Sequence, residues 1–256
     1  MTESVSLERQ DLVATITFSS PPYNYASANL IGQIADALDA VDADDGLRCT
    51  VLTSPGSVFC AGANLASDEL DGAAGMEQIL SLYGQAERLF RRRKPMVAAI
   101  HGAAVGAGLG LALAADFRVA TSKARFSANF VRLGFHPGFA LTFTLPRLIG
   151  QQKAARMMLT AERVKAETAL EWGLIDALVD QDDLAAEARR LAWNVAGNAP
   201  LALTAVRASL LSAQGDEVAA AMKHEAGQQA ALRATDDYRE GVAAVFERRD
   251  PIFHGR

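Results

Sequence analysis

Cysteine and basic charge are both scarce in this sequence, and each shortage argues against a class of protein. The 256 residues include only two cysteines, Cys49 and Cys60, which are too few for a disulfide framework or a structural zinc site. Lysine and arginine total 25 against 30 acidic residues, and the net charge is −5. Nucleic-acid-binding proteins carry clustered basic residues in excess, so we expect no nucleic-acid partner. His, Cys and carboxylate residues nowhere have ligand spacing, so we expect no metal site and no redox cofactor.

Segments that would direct the chain to a membrane are also lacking. The chain does not open with a charged stretch followed by an apolar one, which favours a cytoplasmic location. Residues 95–115 carry no formal charge and are long enough to span a bilayer. Glycines interrupt that run at positions 102, 106, 108 and 110, and each costs a soluble helix about 1 kcal/mol. A buried strand, a glycine turn and a buried helix give the same run, so we expect no membrane span.

The apolar spacing divides the chain into two parts. Up to about Gly150, strand-like and helix-like stretches alternate, which predicts an α/β core. The elements predicted there are strands at residues 12–18, 49–52 and 96–100, a helix through residues 30–41 capped by Ser27, and a helix at residues 79–90. Beyond Gly150 the pattern is mainly helical, and a last long helix is predicted over residues 217–246 with its clearest breaks at two glycines. We therefore expect a core at residues 1–195 and a helical C-terminal arm or lid at residues 196–256.

Glycine and alanine gather in two segments where apolar bulk is expected. Residues 59–65 (Phe-Cys-Ala-Gly-Ala-Asn-Leu) follow a predicted strand, and residues 101–111 lie between a predicted strand and a predicted helix. Small residues at strand ends leave backbone N–H groups open to a ligand, and a helix dipole adds to their attraction for a negative oxygen. Together the two segments predict an oxyanion hole. Close packing of a helix on a strand accounts for Gly106 and Gly108 equally well.

Further motifs are spread over nearly the whole chain. They lie at residues 20–24 (Ser-Pro-Pro-Tyr-Asn), 94–116, 145–150 (Leu-Pro-Arg-Leu-Ile-Gly), 169–175 (Ala-Leu-Glu-Trp-Gly-Leu-Ile), 237–241 and 246–253. With the two glycine-rich segments, they resemble the crotonase superfamily, also called the enoyl-CoA hydratase/isomerase family. The resemblance implies an α/β fold, a crotonase-like spiral of ββα units with a helical C-terminal region. It also implies assembly as a homotrimer or a dimer of trimers.

The same resemblance implies a substrate and the residues that bind it. The substrate is an acyl-CoA thioester of fatty acid metabolism, and coenzyme A enters as part of it rather than as a separate cofactor. The backbone N–H groups of Ala63 and Ala107 fall at the family's two oxyanion donors, in agreement with the composition of the two segments. Further substrate contacts are expected from Ala61, Gly62, Asn64, Leu65, Gly106 and Phe253.

The chain departs from the family at both glutamates that the hydratases use. Alignment puts Gly110 and Phe130 at these two positions, and neither side chain can move a proton. Addition of water to an enoyl thioester needs both an acid and a base, so we expect ordinary hydratase activity to be crippled. Phe130 and Phe139 would make the acyl pocket apolar, which favours isomerisation, decarboxylation or simple acyl binding over hydration.

Two groups are candidates for the missing proton carrier. His136 titrates near neutrality and lies in a loop where some relatives in the resembled family carry a catalytic acid. Asp68 belongs to an acidic loop with Glu69 and Asp71. A surface location accounts for either group as well. We therefore predict an enzyme with isomerase-like or other non-hydratase chemistry, and two alternatives stay open: a non-catalytic acyl-CoA binding protein, and a hydratase with a relocated acid and base.

Overall fold

Ten strands and ten α-helices occur in the part of the chain that the computed structural model describes, which is residues 2–64, 72–211 and 214–256. The strands are β1 (Ser4–Gln10), β2 (Val13–Ser19), β3 (Cys49–Thr53), β4 (Val58–Cys60), β5 (Met96–Ile100), β6 (Ala103–Val105), β7 (Phe117–Thr121), β8 (Arg125–Ser127), β9 (Arg163–Lys165) and β10 (Ala177–Val179). The helices are α1 (Ala28–Ala43), α2 (Gly72–Arg91), α3 (Ala107–Ala114), α4 (Leu141–Ile149), α5 (Gln151–Leu159), α6 (Ala166–Trp172), α7 (Leu184–Ala196), α8 (Pro200–Leu210), α9 (Gln214–Arg233) and α10 (Asp236–Glu247).

The strands form two sheets that are built from a repeating unit. The larger sheet has the order β1-β2-β3-β5-β7-β10, and the smaller has the order β4-β6-β8-β9. Parallel pairing joins β3 to β5 and β5 to β7 in the larger sheet, and β4 to β6 and β6 to β8 in the smaller one. In each unit β3–β4–α2 and β5–β6–α3, the first strand therefore enters the larger sheet, the second enters the smaller sheet, and a helix follows. The expected α/β spiral of ββα units is confirmed.

The larger sheet is covered on both faces, because its central strands are apolar on both. Met96, Ala98 and Ile100 of β5 belong to the main core, to which α1, α2 and α3 also contribute. Val97 and Ala99 of the same strand pack against α7 on the opposite face. Strands buried on both faces give continuous apolar runs. The uncharged run at residues 95–115 has this origin, since it contains β5, β6 and α3. Across the described ranges, no helix is long and apolar enough to cross a membrane.

The C-terminal helices differ from the prediction at one break. A single long helix over residues 217–246 with breaks at its glycines is wrong, because α9 ends at Arg233 and α10 begins at Asp236. Thr235 lies at the break, and its hydroxyl accepts a hydrogen bond from the Tyr238 N–H at 3.1 Å. Such a bond satisfies one of the free donors at a helix start, so Thr235 caps α10.

Both glycines that were expected to break this helix lie inside helices instead. Gly227 lies within α9 and Gly241 within α10. A Cβ on Gly241 would lie 2.4 Å from the carbonyl carbon of Leu133, so glycine here lets α10 approach the 3₁₀ helix Asn129–Leu133 closely. The division into residues 1–195 and 196–256 stays a prediction.

Candidate active site

A cavity of about 280 Å³ lies between the two glycine-rich segments and the C-terminal helices. Its wall includes residues 61–64 and 105–107 of these segments, together with Phe139. Other parts of the wall come from four helices: Ile79, Leu82 and Tyr83 of α2, Phe130 and Leu133 of the 3₁₀ helix, Gln229 and Arg233 of α9, and Tyr238, Val245 and Phe246 of α10. Sites for small molecules are mostly apolar, with a few polar groups that fix the orientation of the ligand. This wall has that composition.

Glycine allows the two segments to approach each other closely. Gly62 has a φ of +88°, and a Cβ on it would lie 2.7 Å from the Val105 carbonyl oxygen and 3.5 Å from the Ala107 nitrogen. Any other residue at position 62 would therefore strain the backbone and separate the segments. The N–H of Gly106 donates a hydrogen bond to the Ser127 carbonyl oxygen at 2.9 Å, which ties the second segment to β8.

Ala63 and Ala107 are wall residues whose backbone N–H groups are available to a ligand. Both residues line the cavity, and within the described residues neither N–H donates a hydrogen bond. Ala107 is the first residue of α3 and follows Gly106, whose φ is +54°. The N–H of Ala107 therefore lies in the first turn of a helix, where the dipole favours negative charge. The two segments can present N–H donors to a negatively charged oxygen in the cavity.

Gly108 has the other role that the sequence allows for this segment, which is close packing. A Cβ on Gly108 would lie 2.2 Å from the Cys60 carbonyl oxygen, so glycine lets α3 contact β4. Cys60 itself is fully buried, and burial raises the pKa of its thiol to about 12. The thiol is therefore protonated at neutral pH and takes no part in acid–base chemistry there.

Phe139 occupies the space that a side chain at position 110 would need. A Cβ on Gly110 would lie 2.6 Å from Cδ1 and 2.7 Å from Cβ of Phe139. Phe139 is completely buried and lines the cavity. Phe130 lies nearby in the wall, with its ring atom Cζ 3.5 Å from the position that a Cβ on Gly106 would take. Aromatic rings thus occupy both places where the sequence comparison located the hydratase glutamates.

The buried carboxylate of Glu225 fixes the backbone next to Phe139. Phe139 and Ala140 have φ values of +60° and +58°, which cost free energy in residues other than glycine. The carboxylate of Glu225 on α9 accepts hydrogen bonds from the Ala140 N–H at 2.8 Å and the Thr142 N–H at 2.9 Å. It also accepts one from the Thr142 hydroxyl at 2.6 Å. Burial raises the pKa of Glu225, while these hydrogen bonds oppose that shift.

Two helices far apart in the sequence, α2 and α9, supply three polar side chains of the wall: Tyr83, Gln229 and Arg233. The Tyr83 hydroxyl on α2 donates to Gln229 Oε1 at 2.9 Å, and Gln229 Nε2 donates to the His136 carbonyl oxygen at 2.9 Å. Burial raises the pKa of Tyr83, so the hydroxyl stays protonated at neutral pH. A Cβ on Gly138 would lie 1.8 Å from that hydroxyl oxygen. Tyr83, Gln229 and Arg233 were not predicted as site residues. The sequence carries one weak indication of them: residues 229 and 233 lie one turn apart, on the same face of a helix.

The predicted site residues fall into three groups. The cavity wall brings together Ala61, Gly62, Ala63, Asn64, Gly106, Ala107, Phe130 and Phe139. Leu65 and Asp68, together with Glu69 and Asp71, lie outside the described residues. His136 and Phe253 are described but do not line the cavity.

The imidazole of His136 lies outside the wall. Its Nδ1 is 2.7 Å from the Pro137 carbonyl oxygen, and its ring centroid is 6.0 Å from that of His224. Burial lowers the pKa of His136, while the hydrogen bond to Pro137 opposes that shift. The wall contains no carboxylate and no imidazole from the described residues. In that same part of the chain, no three side chains are arranged to hold a metal ion.

Known proteins resemble the chain over nearly its whole length. A family model described as "Enoyl-CoA hydratase/isomerase" matches residues 8–256. The chain is 34% identical over 250 residues to 1,2-epoxyphenylacetyl-CoA isomerase of Escherichia coli, with 95% of each chain covered. It is 32% identical over 257 residues to a probable enoyl-CoA hydratase of Bacillus subtilis, covering 98% of this chain and 99% of that protein. A crystal structure of an enoyl-CoA hydratase from Mycobacterium avium subsp. paratuberculosis is similar over 98% of both chains, with a TM-score of 0.86 and 26% identity.

Proposed function

The chain belongs to the enoyl-CoA hydratase/isomerase family and is an enzyme of that family, and we propose that it stabilises the enolate of an acyl-CoA thioester in an oxyanion hole. The backbone N–H groups of Ala63 and Ala107 donate hydrogen bonds to the enolate oxygen. The reaction is a double-bond isomerisation or another step that adds no water. Coenzyme A is part of the substrate, in keeping with the names of both relatives, and no other cofactor takes part.

One observation carries this proposal: a single cavity contains both N–H donors but no carboxylate or imidazole from the described residues. An oxyanion hole stabilises any thioester enolate, whatever happens to the enolate afterwards. Hydration additionally needs a base for the water and an acid for the α-carbon, and such groups contribute typically 10²–10⁴-fold in rate. The rings of Phe130 and Phe139 lie where these groups would have to be.

Isomerisation is compatible with this wall because it needs only one proton carrier. The carrier takes a proton from C2 of a 3-enoyl thioester, the enolate forms, and the same proton returns at C4. We propose Asp68, or another acid of loop 68–71, as the carrier, because this loop follows the wall residue Asn64 closely in the sequence. His136 is the second candidate, since its carbonyl oxygen is bonded to the wall residue Gln229.

The proposal extends to the remaining parts of the molecule. Residues 196–256 form a helical lid, supported by Tyr238, Val245 and Phe246 of α10 in the cavity wall. Phe253 and Leu65 contact the coenzyme A portion of the substrate. The enzyme assembles as a homotrimer or a dimer of trimers and is located in the cytoplasm.

The test uses trans-3-hexenoyl-CoA and follows the absorbance of the conjugated 2-enoyl thioester that isomerisation produces. We expect turnover by the wild type, and loss of turnover with retained thioester binding in either Asp68→Asn or His136→Gln, whichever residue carries the proton. Asp182→Asn is the matched control, because Asp182 is exposed and does not line the cavity. No conversion by the wild type would overturn the proposed isomerisation, and full activity of both variants would overturn the choice of proton carrier.

A further inference from the structure

Arg233 is the only charged side chain among the described residues that line the cavity. It is the last residue of α9, one helical turn beyond Gln229. Its guanidinium carbon lies 5.6 Å from the centroid of the Tyr238 ring. Within the described residues Arg233 makes no ion pair, and its Nη2 is buried with no hydrogen-bond partner.

Arg233 is half-buried, and a buried guanidinium nitrogen without an acceptor is costly. A buried donor without an acceptor loses its hydration, and the loss is larger for a charged group. The face of Tyr238 attracts the cation but accepts no conventional hydrogen bond. Most other arginines of the chain do have acceptors: Arg207, for example, donates hydrogen bonds to the carboxylate of Asp116 and to the Arg92 carbonyl oxygen. The buried, unpaired Nη2 of Arg233 therefore points to an acceptor that the ligand supplies.

The chemistry of arginine narrows the identity of that acceptor. A planar guanidinium fits the two oxygens of a carboxylate through parallel hydrogen bonds. Tyr238 also packs against Phe135, with ring centroids 5.0 Å apart, and both rings line the cavity. In these apolar surroundings a single carboxylate loses less hydration than the multiply charged phosphates of coenzyme A.

We propose that Arg233 binds a carboxylate at the far end of the acyl chain, so that the substrates are coenzyme A thioesters of dicarboxylic acids. The inference rests on the proposed function, because it requires the thioester to lie at Ala63 and Ala107 and the acyl chain to extend into the same cavity. Arg233 then acts as a specificity-determining residue: it contacts the substrate but takes no part in moving the proton.

The test compares thioesters that differ only in the terminal carboxylate. Dissociation constants are measured by calorimetry for three matched pairs: succinyl-CoA with butyryl-CoA, glutaryl-CoA with pentanoyl-CoA, and adipyl-CoA with hexanoyl-CoA. Free coenzyme A is measured beside them. We expect the wild type to bind one dicarboxylic member about 10- to 100-fold more tightly than its monocarboxylic match, the range expected of hydrogen bonds between charged groups.

Three variants complete the test. Arg233→Gln should lose that preference and keep its affinity for butyryl-CoA, pentanoyl-CoA, hexanoyl-CoA and free coenzyme A. Arg233→Lys keeps the charge without the planar fork, so it should retain part of the preference. Arg190→Gln is the matched control, since Arg190 lies on α7, is exposed and does not line the cavity. Thermal unfolding of each variant checks that it is folded.

Each other outcome overturns a distinct statement. Equal affinity of the wild type for both members of every pair would overturn the inference without reference to any variant. An equal loss for all thioesters and for free coenzyme A in Arg233→Gln would show that Arg233 binds the phosphates, and would leave the proposed function intact. Failure of the wild type to bind any thioester would overturn the proposed function itself.

Discussion

The ring of Phe139 fills the space next to Gly110, so a glutamate side chain has no room at position 110. A Cβ at position 110 would lie 2.6 Å from the Phe139 ring, closer than atoms in proteins normally approach. Placing a glutamate at position 110 therefore cannot by itself bring a carboxylate into the cavity. The ring of Phe139 would have to move, and it lies in a segment that Glu225 holds in place.

We expect Gly110→Glu and Phe139→Ala to be strongly coupled. Gly110→Glu alone overpacks the core and should lower the free energy of unfolding by about 1–3 kcal/mol or more. Phe139→Ala alone leaves a cavity and should cost about 3–5 kcal/mol. In the double variant the new side chain enters the space of the ring, so the loss should be smaller than the sum by about 0.5–3 kcal/mol. Urea unfolding of the four proteins measures this coupling, and additive losses would contradict the shared space.

The N–H of Ala107 can be removed with little change to the helix that carries it. Ala107 is the first residue of α3, a position where proline is tolerated because its N–H has no partner within the helix. If this N–H holds the enolate, Ala107→Pro should lower kcat about 10²–10³-fold. Ala107→Gly retains the N–H and is the matched control. Equal activity of the two variants at equal thermal stability would rule out this donor.

At the scale of the elements, the strands buried on both faces were the easiest to predict. β5 is a continuous apolar run and β3 is buried over four of its five residues, and both were predicted. β1 was not predicted, because its residues are half-buried or exposed and only two of them, Val5 and Leu7, are apolar. The break between α9 and α10 was placed at glycines rather than at Thr235, since glycine marks close packing as well as helix ends.

The start of α4 depends on Glu225 of α9. Its carboxylate accepts hydrogen bonds from the backbone N–H groups of Ala140 and Thr142, and the first of these holds a residue with positive φ. Glu225→Gln turns an amide donor toward one of these N–H groups and leaves it unpaired. We expect a loss of about 1–3 kcal/mol in the free energy of unfolding. Glu217→Gln, an exposed change on the same helix, should cost far less, and equal losses in chemical denaturation would contradict this role.

At the scale of the whole molecule, one half-buried carboxylate, that of Asp116, joins the C-terminal region to the larger sheet. Asp116 Oδ2 accepts hydrogen bonds from Arg92 and from the N–H of Met96 in β5, and Oδ1 accepts one from Arg207 of α8 at 3.0 Å. Burial would raise the pKa of Asp116, but the charges of Arg92 and Arg207 outweigh it and lower that pKa below its usual value.

This network predicts a particular dependence of stability on pH. A carboxyl group with a lowered pKa in the folded state stabilises the fold above its unfolded pKa of about 3.9, and this contribution is lost as the pH falls through the folded pKa. Wild-type stability should therefore fall more steeply below about pH 4 than that of Asp116→Asn. Near neutral pH the free energy of unfolding of Asp116→Asn should be lower than that of the wild type by about 3–5 kcal/mol, because two buried arginines lose their counter-charge. Urea unfolding of both proteins across this pH range is the measurement, and parallel curves would contradict the prediction.

The sequence predicted wall residues in the two glycine-rich segments and at Phe130 and Phe139. It did not predict the wall residues on α2, α9 and α10. The two glycine-rich segments were recognised by their composition, and the resemblance to the family then singled out Ala63 and Ala107 within them. Phe130, which lines the cavity, was singled out by comparison with a family pattern. Arg233 was missed because its side chain reaches the cavity only through the packing of α9 on the core, which leaves no local signal in the sequence.

The central claim is that this enzyme keeps an oxyanion hole but adds no water, and crotonyl-CoA tests it most directly. The purified protein is incubated with crotonyl-CoA, and loss of the enoyl absorbance is followed beside a relative that carries both glutamates. Thioester binding is measured in the same preparation. We predict tight binding with little or no loss of absorbance, because Gly110 and Phe130 cannot supply an acid and a base. Rapid loss at a rate similar to that of the relative would contradict the claim.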